Sequence, residues 1–185
     1  MTHETVKKLG EVDVSHYQRL FQSLDESDWV YWEDRYGMKA ESHENVRTLP
    51  LCMISDPDIQ REDISYPSSP TEYFAKYYDP EFFGELTALL KETLGDGYFI
   101  NITFDLLDGG KEIKKHVDTF PTIAYNNRVH IPIITNESVC LYNDPDYVWM
   151  QEGEVYLIDN TKGHGVINGG EDRIHLIVDW HVKPD

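Results

Sequence analysis

The feature that most constrains this chain is a change of hydrophobic period at Gly97. Before it, apolar residues recur at helical spacing. Between Asp13 and Leu24, the residues Val14, Tyr17, Leu20, Phe21 and Leu24 form a helical stripe for which Asp13 or Ser15 can act as N-cap. A second helix is better marked. Asp79 can cap it, Pro80 sits at its first position, and Gly95 supplies the stop, while Phe82, Phe83, Leu86, Leu89, Leu90 and Leu94 line one broad face. After Gly97 the period falls to two. Short runs follow at Tyr98–Leu107, Glu112–Asp118, Arg128–Thr135, Ser138–Tyr142, Tyr147–Met150, Glu154–Asp159, Gly165–Asn168 and Arg173–Trp180. Asp108-Gly-Gly, Asn126-Asn, Asn143-Asp-Pro, Glu152-Gly and Gly169-Gly separate several of them and are good turn formers.

Short strands with tight connections predict a mainly β fold with flanking helices, a double-stranded β-helix or jelly roll preceded by about two α-helices. We expect a single domain over residues 1–185. Residues 97–185 would form the jelly-roll core, and 1–96 a helical and irregular part that covers the sheet and contributes lid loops. The stretch from Asp28 to Ser69 reads as loops, with a short strand near Leu49–Ile54.

Composition removes several function classes. Lys and Arg total 16 against 34 Asp and Glu, a net charge of −18, which repels phosphate backbones and anionic lipid and leaves nucleic acid out as a partner. Apolar residues at 40% and aromatics at 12% give too much core for a disordered acidic chain. Cys52 and Cys140 supply neither a disulfide framework nor paired zinc ligands. No apolar run reaches the ~18 residues of a membrane span, and the first residues lack the apolar stretch of a signal peptide. A soluble cytoplasmic protein is expected. The sequence says nothing of oligomeric state.

The chemistry-bearing residues cluster in the strand region. His116-Val117-Asp118 places two ligand-type side chains at i and i+2, on one face of a strand, where both can reach one ion. His164 opens the seventh predicted strand. Two imidazoles and a carboxylate on one side of a metal leave positions open for substrate and dioxygen, the arrangement of non-haem Fe(II) oxygenases. Arg173 follows nine residues later, and its planar fork suits a carboxylate better than a lysine would. Arg128 and His130 form a second basic pair at i and i+2. Taken singly, His-x-Asp is more often a surface pair and each arginine as often a surface ion pair. All five in order on consecutive strands are not.

The stretches His116-Val-Asp118, Arg128-Val-His130-Ile-Pro-Ile, Glu152-Gly-Glu-Val-Tyr-Leu-Ile-Asp159-Asn, His164-Gly-Val-Ile-Asn168 and Arg173-Ile-His-Leu-Ile-Val-Asp179 together resemble the aspartyl/asparaginyl β-hydroxylase branch of the Fe(II)/2-oxoglutarate dioxygenases, with their cupin-like core. The resemblance implies hydroxylation of an unactivated C–H bond, coupled to oxidative decarboxylation of 2-oxoglutarate to succinate and CO2, with Fe(II), 2-oxoglutarate and O2 as cofactor and cosubstrates. It implies His116, Asp118 and His164 as iron ligands. Arg173 would bind the distal carboxylate of 2-oxoglutarate, and Arg128 with His130 would steady the end nearer the metal. The animal members that name the family carry glycine where this chain has Asp118. The intact triad is therefore more similar to bacterial members, among them hydroxylases of free proline.

Substrate contacts are less legible. Asn101 and Thr103 alternate with apolar neighbours on the first predicted strand and could line a pocket, although a solvent-facing row is the more ordinary reading. Tyr125 and Asn127 precede the basic pair and could reach the cosubstrate, and Tyr125 is also a candidate substrate contact. Arg35 and Arg47, with Lys39 and Arg61, give the acidic lid segment cationic side chains that would suit a substrate carboxylate. Packing is the better reading for Trp29 and Trp32, and a satisfied core histidine for His175. His3, His16, His43 and His181 show no partner pattern. The substrate expected is a free amino acid or similar small carboxylate, because the chain is short for a peptide-binding domain as well. A peptidyl Asp or Asn is the alternative. A non-oxygenase cupin that senses or isomerises a small carboxylate is the alternative of another class.

Overall fold

The computed structural model describes residues 4–24, 26–36, 41–54, 68–118 and 126–184. In chain order the strands are β1 (Val6–Glu11), β2 (Val30–Tyr31), β3 (Val46–Ile54), β4 (Ser68–Pro70), β5 (Gly97–Leu107), β6 (Glu112–His116), β7 (Asn127–Ile134), β8 (Val139–Asn143), β9 (Asp146–Val148), β10 (Glu154–Ile158), β11 (His164–Asn168) and β12 (Arg173–Val182). The helices are α1 (Ser15–Phe21), α2 (Trp32–Tyr36), α3 (Phe74–Tyr77) and α4 (Pro80–Leu94). Two antiparallel sheets face each other. The larger runs β1-β10-β7-β12-β5-β3-β2, with β4 on β3, and the smaller runs β6-β11-β8-β9. This is the expected jelly roll with flanking helices, and all eight strands read after Gly97 are present.

Helix α4 forms for the reasons its sequence states. The Asp79 carboxylate accepts the Glu81 N–H at 3.0 Å, and Gly95 ends the helix at φ 108°, a left-handed conformation that costs glycine little. Helix α1 is shorter than its apolar stripe. Asp13 accepts the Ser15 N–H at 2.9 Å, but Val14 occupies the cap position. The N-terminal half also contributes more strand than its texture announces. β1 lies beside β10 at one edge of the larger sheet, and β3 is a nine-residue strand paired with β5. Pro50 falls where the β3–β5 register shifts, since a residue without an N–H is tolerated at such an irregularity.

Two apolar clusters divide the interior. One lies under the helices and includes Tyr17, Phe83, Leu86, Leu90, Leu49, Phe104, Ile131, Leu176 and Trp180. The other, with Val46, Leu107, Ile113, Leu141, Ile158 and Val166, lies between the sheets. Because side chains alternate along a strand, the residues between Ile174, Leu176 and Val178 on β12, and between Val129 and Ile131 on β7, must point to the inter-sheet face. That face carries Arg173, His175 and Asp179 on β12, His130 and Arg128 on β7, and Asn101, Thr103 and Asp105 on β5. A polar row therefore lines the inside of the barrel.

Candidate active site

His116 ends β6 and His164 begins β11, and the two are paired in register across the smaller sheet. Their ring centroids lie 4.3 Å apart. Asp118 sits just past the end of β6, where its N–H donates to the Asn160 carbonyl at 3.2 Å. A fixed turn rather than the strand itself thus brings its carboxylate to the histidines. Asp118 Oδ1 is 3.7 Å from His116 Nε2, and Asp118 Oδ2 is 3.9 Å from His164 Nε2. One donor atom from each residue falls within 4.8 Å of the others, a spacing that fits a single metal ion.

The backbone sets the tautomer of both rings. His116 Nδ1 lies 2.8 Å from the Lys114 carbonyl and His164 Nδ1 lies 3.0 Å from the Lys162 carbonyl. A carbonyl only accepts, so each Nδ1 must donate, and each Nε2 keeps its lone pair toward the centre. Electrostatics agree with this state. Burial pushes the His164 imidazolium down, keeping the ring neutral. For Asp118, burial alone would raise the carboxyl, but Arg128, His164 and His116 outweigh it and hold it below the usual range.

Deeper in the barrel lies a set of buried polar atoms without partners. Arg173 is fully buried, and its Nε and Nη1 make no hydrogen bond. Both ring nitrogens of His130 and both of His175 are equally unpartnered. The two rings lie 6.1 Å apart and nearly perpendicular. Desolvation drives both imidazoles well below their ordinary range, so they are neutral, and it draws the guanidinium down to about 10 although Asp105 opposes the change. Each buried orphan of this kind costs about 1–3 kcal/mol. So many on one inner face have the chemistry of an anion cradle that a carboxylate would complete, and the residues fit 2-oxoglutarate on that ground.

The structure redistributes the remaining expectations. Arg128 does not point an open fork toward a cosubstrate. Its Nε and Nη2 bind Asp179 and its Nη1 binds Asp118. Asn101 faces the interior and joins the same network, donating to Asp179 at 2.9 Å, while Thr103 is buried and donates to Asp105 at 3.0 Å. Arg47 is in register with Leu106, on the helix-facing side of the sheet, and pairs with Glu26 and Asp108. It lies on the wrong face to meet a substrate at the metal. Tyr125, Lys39 and Arg61 lie outside the described residues, as does the side chain of Arg35. His175, read as a satisfied core residue, is unsatisfied. His43, to which the sequence assigned nothing, packs its ring 4.6 Å from His116 and stacks at 4.9 Å on Trp32. Its Nδ1 meets the Ser42 hydroxyl at 2.9 Å, and burial with the nearby His116 holds it neutral, down to about 3. No local signal marks His43, since His116, the residue that ties it to the site, lies far along the chain.

A jelly roll that gathers two histidines and an aspartate, with an arginine buried on its inner face and two of that arginine's nitrogens unpaired, has the make-up of an Fe(II)/2-oxoglutarate-dependent dioxygenase. The model for aspartyl/asparaginyl beta-hydroxylase matches residues 79–182, more than half of the chain. The protein belongs to that family. A comparison with curated proteins gave no sequence match. Among solved structures, the chain is similar to a prolyl hydroxylase from Trichoplax adhaerens in complex with a hypoxia inducible factor peptide fragment (TM-score 0.58, 12% identity, 96% of this chain and 84% of that one). It is similar to a Pseudomonas putida prolyl-4-hydroxylase (TM-score 0.53, 12% identity, 98% and 95%). A 2OG-Fe(II) oxygenase family oxidoreductase from Burkholderia pseudomallei also matches (TM-score 0.53, 11% identity, 75% and 68%). At these identities the likeness is one of fold. Among the described residues no helix is long and apolar enough to cross a membrane.

Proposed function

We propose that the chain hydroxylates a free amino acid or a similar small carboxylate, with His116, Asp118 and His164 holding Fe(II). The observation that carries the reading is the convergence of the three ligand atoms, each imidazole locked by its Nδ1 bond with Nε2 facing inward. When bound, the metal supplies oxygen activation coupled to decarboxylation of 2-oxoglutarate. The chain's own part is to seat the reactants and keep the site dry. Arg173 would give two buried, unpaired donors to the distal carboxylate, and neutral His130 and His175 are buried on the same inner face. Neutral rings add donors without adding a charge that would have to be desolvated.

Two features support a small substrate. Asp118 stands where the family's animal peptide hydroxylases carry glycine. His43, stacked on Trp32, also packs its ring against His116, and such aromatic bulk beside a candidate metal ligand suits a small substrate better than a polypeptide. The test is a screen of 2-oxoglutarate consumption against the free amino acids, with mass spectrometry for a product heavier by one oxygen. Stimulation by a free amino acid with that product supports the reading. Stimulation only by Asp- or Asn-containing peptides overturns the substrate and leaves the dioxygenase in place.

A further inference from the structure

We propose that Asp179 is a positioning residue for the metal centre, acting through Arg128 on Asp118. This rests on the metal-centre reading above. In the larger sheet Asp179 is in direct register with Arg128 on β7 and Asn101 on β5, so three inward-facing side chains meet in one row. The Asp179 side chain is 1% exposed. Its Oδ1 accepts from Arg128 Nε at 2.9 Å and its Oδ2 from Arg128 Nη2 at 3.1 Å, a two-pronged contact that fixes the guanidinium plane. Asn101 Nδ2 donates to Asp179 Oδ2 at 2.9 Å, and Asn101 Oδ1 in turn accepts the Ile54 N–H at 3.0 Å. The clamp is thereby tied into the backbone of β3.

With two nitrogens held, Arg128 has one prong directed at the site, and Nη1 donates to Asp118 Oδ2. Asn160 Nδ2 approaches the same oxygen at 3.4 Å. Two donors on Oδ2 stop the carboxylate from turning and leave Oδ1, beside His116 Nε2, as the less engaged oxygen. Charge gives a second reason for Asp179. A guanidinium bound to a metal's carboxylate ligand would repel the incoming dication, and a buried carboxylate on its other side offsets that repulsion. Arg128 thus orients a ligand, in place of the cosubstrate contact that the family resemblance implies for it.

The test is Co(II) affinity, measured by titration without cosubstrate or turnover, in wild type, Asp179→Asn, Arg128→Met and the double variant. Thermal unfolding of the metal-free proteins reports whether each is folded. Asp179→Asn should weaken Co(II) binding by about 10–100-fold, the range typical of groups that orient metal ligands. In the Arg128→Met background the same substitution should have almost no effect, because its route to Asp118 is gone. Should Asp179→Asn fail to fold, Asn101→Ala loosens the clamp more gently, with a smaller loss that again vanishes in the Arg128→Met background. Unchanged Co(II) affinity in Asp179→Asn, or an equal loss with and without Arg128, overturns the proposal. So does a loss of 2-oxoglutarate affinity with Co(II) binding intact, which would return Arg128 to the cosubstrate. A wild-type protein that binds no Co(II) would instead remove the metal-centre reading on which this one stands.

Discussion

Arg173, His130 and His175 are costly residues for a barrel interior, since a guanidinium and two imidazoles sit desolvated with ring and fork nitrogens unpaired. A bound carboxylate would recover that cost. Arg173→Lys keeps the charge but loses the planar fork, so the apparent KM for 2-oxoglutarate should rise roughly 10–100-fold while metal affinity stays. An unchanged KM would assign the distal carboxylate to another residue. His175→Leu removes an orphan and should stabilise the metal-free protein, most of all in acid. Unfolded, this imidazole takes up a proton below about 6.5. Folded, burial and Arg173 keep it neutral. The unfolded state therefore binds more protons, and wild-type stability, complete above pH 6.5, falls as pH drops below it. Denaturant titrations between pH 7 and 5 should show the difference between wild type and His175→Leu growing by about 1.4 kcal/mol per pH unit below 6.5. A constant difference would mean His175 is charged in the fold. His116, His164 and Arg173 could be read from the sequence because they sit on regular strands, and Asp118 because it follows His116 by two residues, although a turn and not the strand carries it. His43 and the Arg128–Asp179 contact could not, because both depend on which strands become neighbours.

Among the elements, β11 positions the candidate ligand His164 against its strand neighbours. His164 starts it, and its next residue, Gly165, leaves no room for a side chain, since an added Cβ would run into the Tyr142 hydroxyl and the Ile113 carbonyl. Tyr142 belongs to β8 and Ile113 to β6, so any atom there pushes β11 against both neighbours. Gly165→Ala should displace His164 and weaken divalent-metal binding by about tenfold or more, the range seen when ligand orientation is disturbed, with a folded circular-dichroism spectrum. Native affinity in that variant would show that β11 yields without moving its histidine. Elements with strong local codes were legible: α4 through Asp79, Pro80 and Gly95, and the C-terminal strands through alternation. β1 and the full length of β3 were not. Lys7-Lys8 and Gly10 give β1 no clear alternation, and Pro50 breaks the pattern of β3. Both strands draw their stability from pairing with β10 and β5, which is tertiary information.

At the scale of the whole molecule, the helix-covered sheet supplies a rigid floor and the smaller sheet carries the two histidines. The site lies between the sheets, so the fold dictates its depth. Sequence composition bore on this level only by exclusion. The net charge of −18 spoke against nucleic acid but carried no information about where a positive pocket would be buried. The proposed role of His116, Asp118 and His164 is to hold the Fe(II) that drives oxidation of 2-oxoglutarate. The most direct measurement is succinate formation from 2-oxoglutarate under air, with and without added Fe(II), in wild type and Asp118→Ala. Wild type should form succinate that depends on Fe(II), and Asp118→Ala should fall to background with the fold intact. Equal turnover in the two proteins, or turnover indifferent to Fe(II), would contradict it.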